Sequence, residues 1–104
     1  MNKYLEDLFS LENKIAIVTG GARGNGKAIS EALLNVGATV VIVDQLKNDL
    51  MKTLKSFKKL DYDCYEFNCD ITNKHQILKL KNFIKNKFNR IDILVNNAGF
   101  TSSN

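Results

Sequence analysis

"TGGARGNG", Thr19 to Gly26, stands between an apolar run and a helical pattern, and its reading decides the fold. The run before it, "KIAIVTG" (14–20), is rich in β-branched residues and closes on glycine, as a buried strand does. After it Ile29, Ala32, Leu33 and Val36 recur at i, i+3, i+4 and i+7, one face of a helix, and Gly37 follows as a stop. Gly20, Gly24 and Gly26 therefore sit in a strand-to-helix turn. Glycine there permits positive φ and lets the backbone approach a pyrophosphate closely. The helix beginning near Gly24 offers unpaired N–H groups and a positive dipole end to such a ligand. A glycine triplet alone is a weak signal; the strand before it and the helix after it supply the context that makes it a phosphate loop.

The alternation continues along the chain. "ATVVIVD" (38–44) is a second buried strand, and Leu46, Leu50, Leu54 and Phe57 form a second helix stripe. "DCYEFNCD" (63–70) is a weaker third strand. Thr72 is the expected N-cap of a third helix with the stripe Ile77, Leu80, Ile84 and Phe88, and Asn89 can take the left-handed conformation that ends it. "IDILVNN" (91–97) is a fourth strand. Strands that read as continuous apolar runs belong to parallel sheets covered on both faces. Right-handed crossovers then make the β-α-β-α-β-α-β order an incomplete, Rossmann-like doubly wound α/β sheet with strand order 3-2-1-4. Its first two helices cover one face and the third crosses to the other. The ligand is expected beyond the strand carboxyl ends, between strands 1 and 4.

Composition narrows the function classes. The 104 residues, 44% hydrophobic and 25% charged, are read as one domain spanning 1–104. No apolar run approaches the ~18 residues of a membrane span, and the start "MNKYLEDLFSLENK" has no long apolar core of a signal peptide, so a cytoplasmic protein without a membrane partner is expected. Cys64 and Cys69 lack CxxC spacing and a Cys/His cluster, so they are expected as reduced, buried thiols with no metal. The net charge of +4 comes mostly from lysines between Lys47 and Lys87, interleaved with apolar positions, which reads as solvated helix faces. Arginine is confined to Arg23 and Arg90, no aromatic-plus-basic module is present, and nucleic acid is not expected as a partner. His75, the one histidine, is read as a surface residue.

Asp44 ends the second strand 18 residues after Gly26. Its carboxylate can accept hydrogen bonds from the adenosine ribose hydroxyls and repel the 2′-phosphate of NADP, which argues for NAD. Arg23, inside the glycine loop, argues the other way. A plain helix-capping role for Asp44 is the competing account.

These segments carry a family resemblance. "TGGARGNG" resembles the Thr-Gly-x-x-x-Gly-x-Gly loop of the short-chain dehydrogenase/reductase family, "CDIT" (69–72) its Asp-Val/Ile-Thr segment, and "NNAG" (96–99) its Asn-Asn-Ala-Gly motif. Asp44 stands where NAD-dependent members carry an acidic residue. The lead-in "LFSLENKIAIVTGG" (8–21) is similar to members that reduce 3-oxoacyl thioesters or oxidise sugar acids. The resemblance implies that Thr19, Gly20, Gly24 and Gly26, with Arg23 and Asn25 between them, shape and line the phosphate loop. It implies that Asp44 binds the adenosine ribose, and that Asp70 with the Ile71 backbone contacts the adenine. Asn96, Ala98 and Gly99 would pass beside the ribose groups, Asn96 also tying the fourth strand to its neighbours. Strand-end capping competes for Asp70, and turn formation for Asn96 and Asn97. Asn25 departs from the Ile or Leu usual at its place.

The family's activity is hydride transfer between a secondary alcohol or ketone and nicotinamide. Its chemistry rests on a Tyr-x-x-x-Lys pair, an upstream Ser and an Asn on a further helix. A tyrosine titrating at its ordinary value of about 10 cannot exchange protons near neutral pH without such help. Here the tyrosines are Tyr4, Tyr62 and Tyr65, and four residues on lie Leu8, Glu66 and Cys69. No residue is therefore assigned a catalytic role. The chain is read as the cofactor-binding, amino-terminal part of such an oxidoreductase, and the alternative is a non-catalytic nucleotide-binding module. Its fourth strand would be an open edge beside an undercovered apolar face, which favours association, as in a homo-oligomer, or partial unfolding.

Overall fold

The structure, a computed structural model, describes residues 2–97. Four parallel strands, β1 (Ile15–Thr19), β2 (Thr39–Asp44), β3 (Cys64–Asn68) and β4 (Ile93–Asn96), form one sheet in the order β3-β2-β1-β4. Three helices connect them: α2 (Gly24–Asn35), α3 (Lys47–Lys58) and α4 (Lys74–Lys87). This is the incomplete Rossmann-like arrangement expected from the sequence.

Every residue of β1 is buried, as is β2 from Val40 to Asp44, because side chains of both faces meet helices. Alternate residues part cleanly. Ala16, Val18, Val40 and Ile42 pack with Leu34 of α2 and with Leu50 and Phe57 of α3. Ile17, Val41 and Val43 pack with Leu80 and Ile84 of α4. Two helices thus cover one face and one covers the other. Where α4 alone covers the sheet, Ile77, Leu80, Ile84, Ile91 and Leu94 line an open apolar cavity of ≈ 380 Å³. Leu94 on the β4 edge is 63% exposed.

Several local readings are corrected. The buried face of α2 runs through Gly26, Ser30 and Leu34, with Ile29 and Leu33 half-buried and Ala32 exposed. The face of α3 takes in Thr53 beside Leu50 and Phe57, while Leu46 lies outside on the surface. The N-cap of α4 is Asn73, whose Oδ1 accepts from the Gln76 N–H at 3.1 Å, and not Thr72. Thr72 is drawn back into a turn, giving both its N–H and its hydroxyl to Asp70 Oδ1 at 2.9 and 2.7 Å. Asn89 does take φ 60° after α4. A seven-residue helix, α1 (Lys3–Phe9), precedes the sheet; Asn2 Oδ1 caps it through the Leu5 N–H at 2.9 Å, and it buries no residue.

Cys64 and Cys69 are buried thiols, and removal from water pushes both above the usual thiol range. His75 and the lysines of α3 and α4 are exposed. The β3 edge is covered by charge: the Lys58 and Lys87 ammonium groups stand 5.2 and 4.5 Å from the centre of the Tyr65 ring. Among the described residues no helix is long and apolar enough to cross a membrane, and no group of His, Cys, Asp and Glu could hold a metal ion.

Candidate functional site

The loop between β1 and α2 is fastened on three sides. Toward β4, the Thr19 hydroxyl lies 3.4 Å from the Val95 carbonyl and 3.2 Å from Asn96 Oδ1, and accepts the Asn97 N–H at 3.1 Å. The Asn97 side-chain amide donates to the Gly20 carbonyl at 3.3 Å. The tie expected of Asn96 is thus shared with Asn97. Toward β2, the Gly21 N–H donates to the Val43 carbonyl at 3.2 Å and the Ala22 N–H to Asp44 Oδ2 at 3.1 Å. Toward α3, the buried Thr53 hydroxyl donates to the Ala22 carbonyl at 2.6 Å.

Two glycines do different work. A side chain at Gly26 would run into the Gly20 carbonyl oxygen and come within 2.6 Å of the Asn97 amide, so this glycine lets α2 close onto the strand ends. Gly24 has φ +54°, and none of the described residues lies within 4 Å of where its Cβ would stand. That position needs glycine for backbone conformation rather than for close packing. The amino end of α2 begins there. Its N-cap, Arg23, is extended and makes no side-chain cap, so the first-turn amides point outward from the positive end of a twelve-residue helix. Asn25 lies exposed on this turn. First-turn amides with no side-chain cap, opening on Gly24, fit a diphosphate.

Asp44 is 8% exposed at the end of β2. Its Oδ2 accepts from Ala22 and its Oδ1 from the Leu46 N–H at 2.9 Å, so the carboxylate binds the glycine loop to the turn that starts α3. Its backbone carbonyl accepts from Asn68 Nδ2 at 2.9 Å and Cys69 N–H at 3.0 Å, joining β3 to the same corner. Arg23 stands beside Asp49 of α3, Nε to Oδ2 3.5 Å. Asp70 follows β3; the two hydrogen bonds from Thr72 hold its carboxyl below the usual carboxylate range, and its N–H donates to Gln76 Oε1 at 2.7 Å. Ile71 and Asn96 reach the rim of the apolar cavity beside α4. Ala98 and Gly99 lie outside the described residues.

The structure therefore gathers Thr19, Gly20, Arg23, Gly24, Asn25, Gly26, Asp44 and Asn96 at the carboxyl end of the sheet, with Asp70 and Ile71 on the loop that leaves β3. Sequence reasoning passed over Gly21 and Thr53; Asn97, read there only as a turn residue, satisfies the Gly20 carbonyl. A Cβ on Gly21 would stand 2.6 Å from Ile42 Cγ2, so β2 packs directly against that backbone. Thr53 could have been noticed as a hydroxyl where the α3 stripe wants an apolar residue.

Known proteins share this fold. The family model described as short chain dehydrogenase matches residues 14–104. The diacetyl reductase [(S)-acetoin forming] of Staphylococcus epidermidis is 39% identical over 87 residues, 84% of this chain and 34% of that protein. Among solved structures, the 2-keto-3-deoxy-D-gluconate dehydrogenase of Streptococcus agalactiae superposes with TM-score 0.84 at 37% identity, covering 96% of this chain and 38% of that one. Pseudomonas aeruginosa RhlG, solved in an NADP active-site complex, gives 0.81 at 36% identity, covering 88% and 37%. The chain spans about a third of the length of the relatives it matches.

Proposed function

This chain belongs to the short chain dehydrogenase family, and from that premise we propose that it is the NAD-binding part of an oxidoreductase. The observation that carries the reading is the outward amino end of α2 behind Gly24, with Asp44 closing the neighbouring strand. The amides of the α2 first turn would bind the diphosphate. Asp44, already oriented by Ala22 and Leu46, would accept from the adenosine ribose hydroxyls and disfavour a 2′-phosphate. Asp70 and Ile71 would meet the adenine, and Asn96 the ribose groups.

Bound there, NAD supplies the hydride acceptor or donor for a secondary alcohol or ketone. The relatives that act on diacetyl and on a sugar acid support that substrate class, alongside the 3-oxoacyl reductase likeness of residues 8–21. Hydride transfer is a property of the whole enzyme, which we read as a cytoplasmic homo-oligomer. The second reading is a nucleotide-binding module without turnover.

Calorimetric titration of the 104-residue chain with NADH tests the site. Saturable binding at one site per chain, without oxidation of NADH across a panel of ketones, is the expected result. Absence of binding by the folded chain would overturn the reading.

A further inference from the structure

The corner between the glycine loop and α3 carries one cation and two carboxylates whose arrangement bears on cofactor choice. Arg23 is the only charged residue of the loop from Thr19 to Gly26. It follows Ala22, whose N–H is held by Asp44, so Arg23 and Asp44 adjoin the same corner. Asp49 lies in the first turn of α3, where the positive end of the helix favours a carboxylate. Its Oδ2 is 3.5 Å from the Arg23 guanidinium Nε. Asp49 is thus anchored by its own helix, and Arg23 reaches across to it.

We infer that Asp49 is a specificity-determining residue for the dinucleotide: it engages the Arg23 guanidinium, so that a 2′-phosphate meets the Asp44 carboxylate without that cation to offset it. This rests on the dinucleotide reading of the site given above. The Arg23 and Asp49 side chains are 67% and 42% exposed, so the pair contributes little to folding and its consequence falls on ligands. With Asp49 neutral, the guanidinium can turn to an incoming phosphate and form charge-assisted hydrogen bonds with it.

The test is fluorescence titration of NADH and NADPH against the unsubstituted chain, Asp49→Asn, Arg23→Ala and the double variant, at one fixed ionic strength. Asp49→Asn is expected to raise affinity for NADPH relative to NADH by about 3- to 10-fold, the size of one unit charge acting at a solvated surface. In the Arg23→Ala background the same substitution should leave the ratio unchanged. An unaltered ratio in Asp49→Asn, or an equal shift with and without Arg23, overturns the inference while leaving the site intact. If the unsubstituted chain binds neither dinucleotide, the reading of the site falls, and this inference falls with it.

Discussion

Thr53, in the middle of α3, donates its hydroxyl to the carbonyl of Ala22 in the glycine loop, 31 residues earlier, at 2.6 Å. Both groups are buried. Thr53→Val keeps the shape and leaves the carbonyl without this donor, which costs about 1–3 kcal/mol. The midpoint of urea unfolding should fall without a change in slope. NADH affinity should fall too, because the loop loses one of its three fastenings.

Gly24 and Gly26 should respond differently to alanine. Gly26→Ala forces backbone apart, and overpacking of this kind costs about 1–3 kcal/mol or more, so unfolding should come at distinctly lower urea. Gly24→Ala meets no atom of the described residues; it costs only the left-handed backbone, about 1–2 kcal/mol. The methyl would stand where a diphosphate is proposed to lie, so Gly24→Ala should lose more NADH affinity than its change in stability explains. Parallel urea and NADH titrations of the two variants check this.

Asp44→Ala removes the acceptor of two backbone N–H groups, Ala22 and Leu46. Leaving a buried donor unsatisfied costs about 1–3 kcal/mol. Asp44→Asn keeps an oxygen for one of them and should be the milder change. Both should narrow the preference for NADH over NADPH, read by titration with each.

Asp92 accepts the Ile15 N–H at 2.8 Å and lies 3.0 Å from Arg90 Nε. The hydrogen bond from Ile15 and then the one from Arg90 hold its carboxyl below the usual carboxylate range. A group whose folded pKa is depressed gives stability above its unfolded pKa and loses it as pH falls through the folded value. Asp92→Ala should therefore lower the melting temperature at pH 7, with the gap to the unsubstituted chain closing as the pH falls below about 4. Melting curves from pH 7 to pH 2.5 measure it.

The strands and their order were legible because a parallel sheet covered on both faces needs unbroken apolar runs, as in residues 15–18 and 40–43. The helix faces were legible to within one position. Ser30 and Thr53 sit at their centres, and a reading by apolar periodicity steps over buried hydroxyls that bond to Gly26 and Ala22 carbonyls. Helix α1 escaped because it packs no residue into the core, so its pattern has no face to report. Residue types at the site were readable from the glycine spacing and from Asp44. That Asp44 and Asp70 each hold nearby N–H groups depends on how turns close in space.

Strand β1 pairs on one side with β2, but on the other with β4, Ala16 opposite Ile93. During synthesis, roughly fifty residues separate the completion of β2 from that of β4. At about 5–20 residues per second, one flank of the central strand waits roughly 3–10 s on the ribosome for its neighbour. Unpaired through that interval, it presents free backbone N–H and C=O groups between apolar side chains, the kind of edge that invites pairing with another chain.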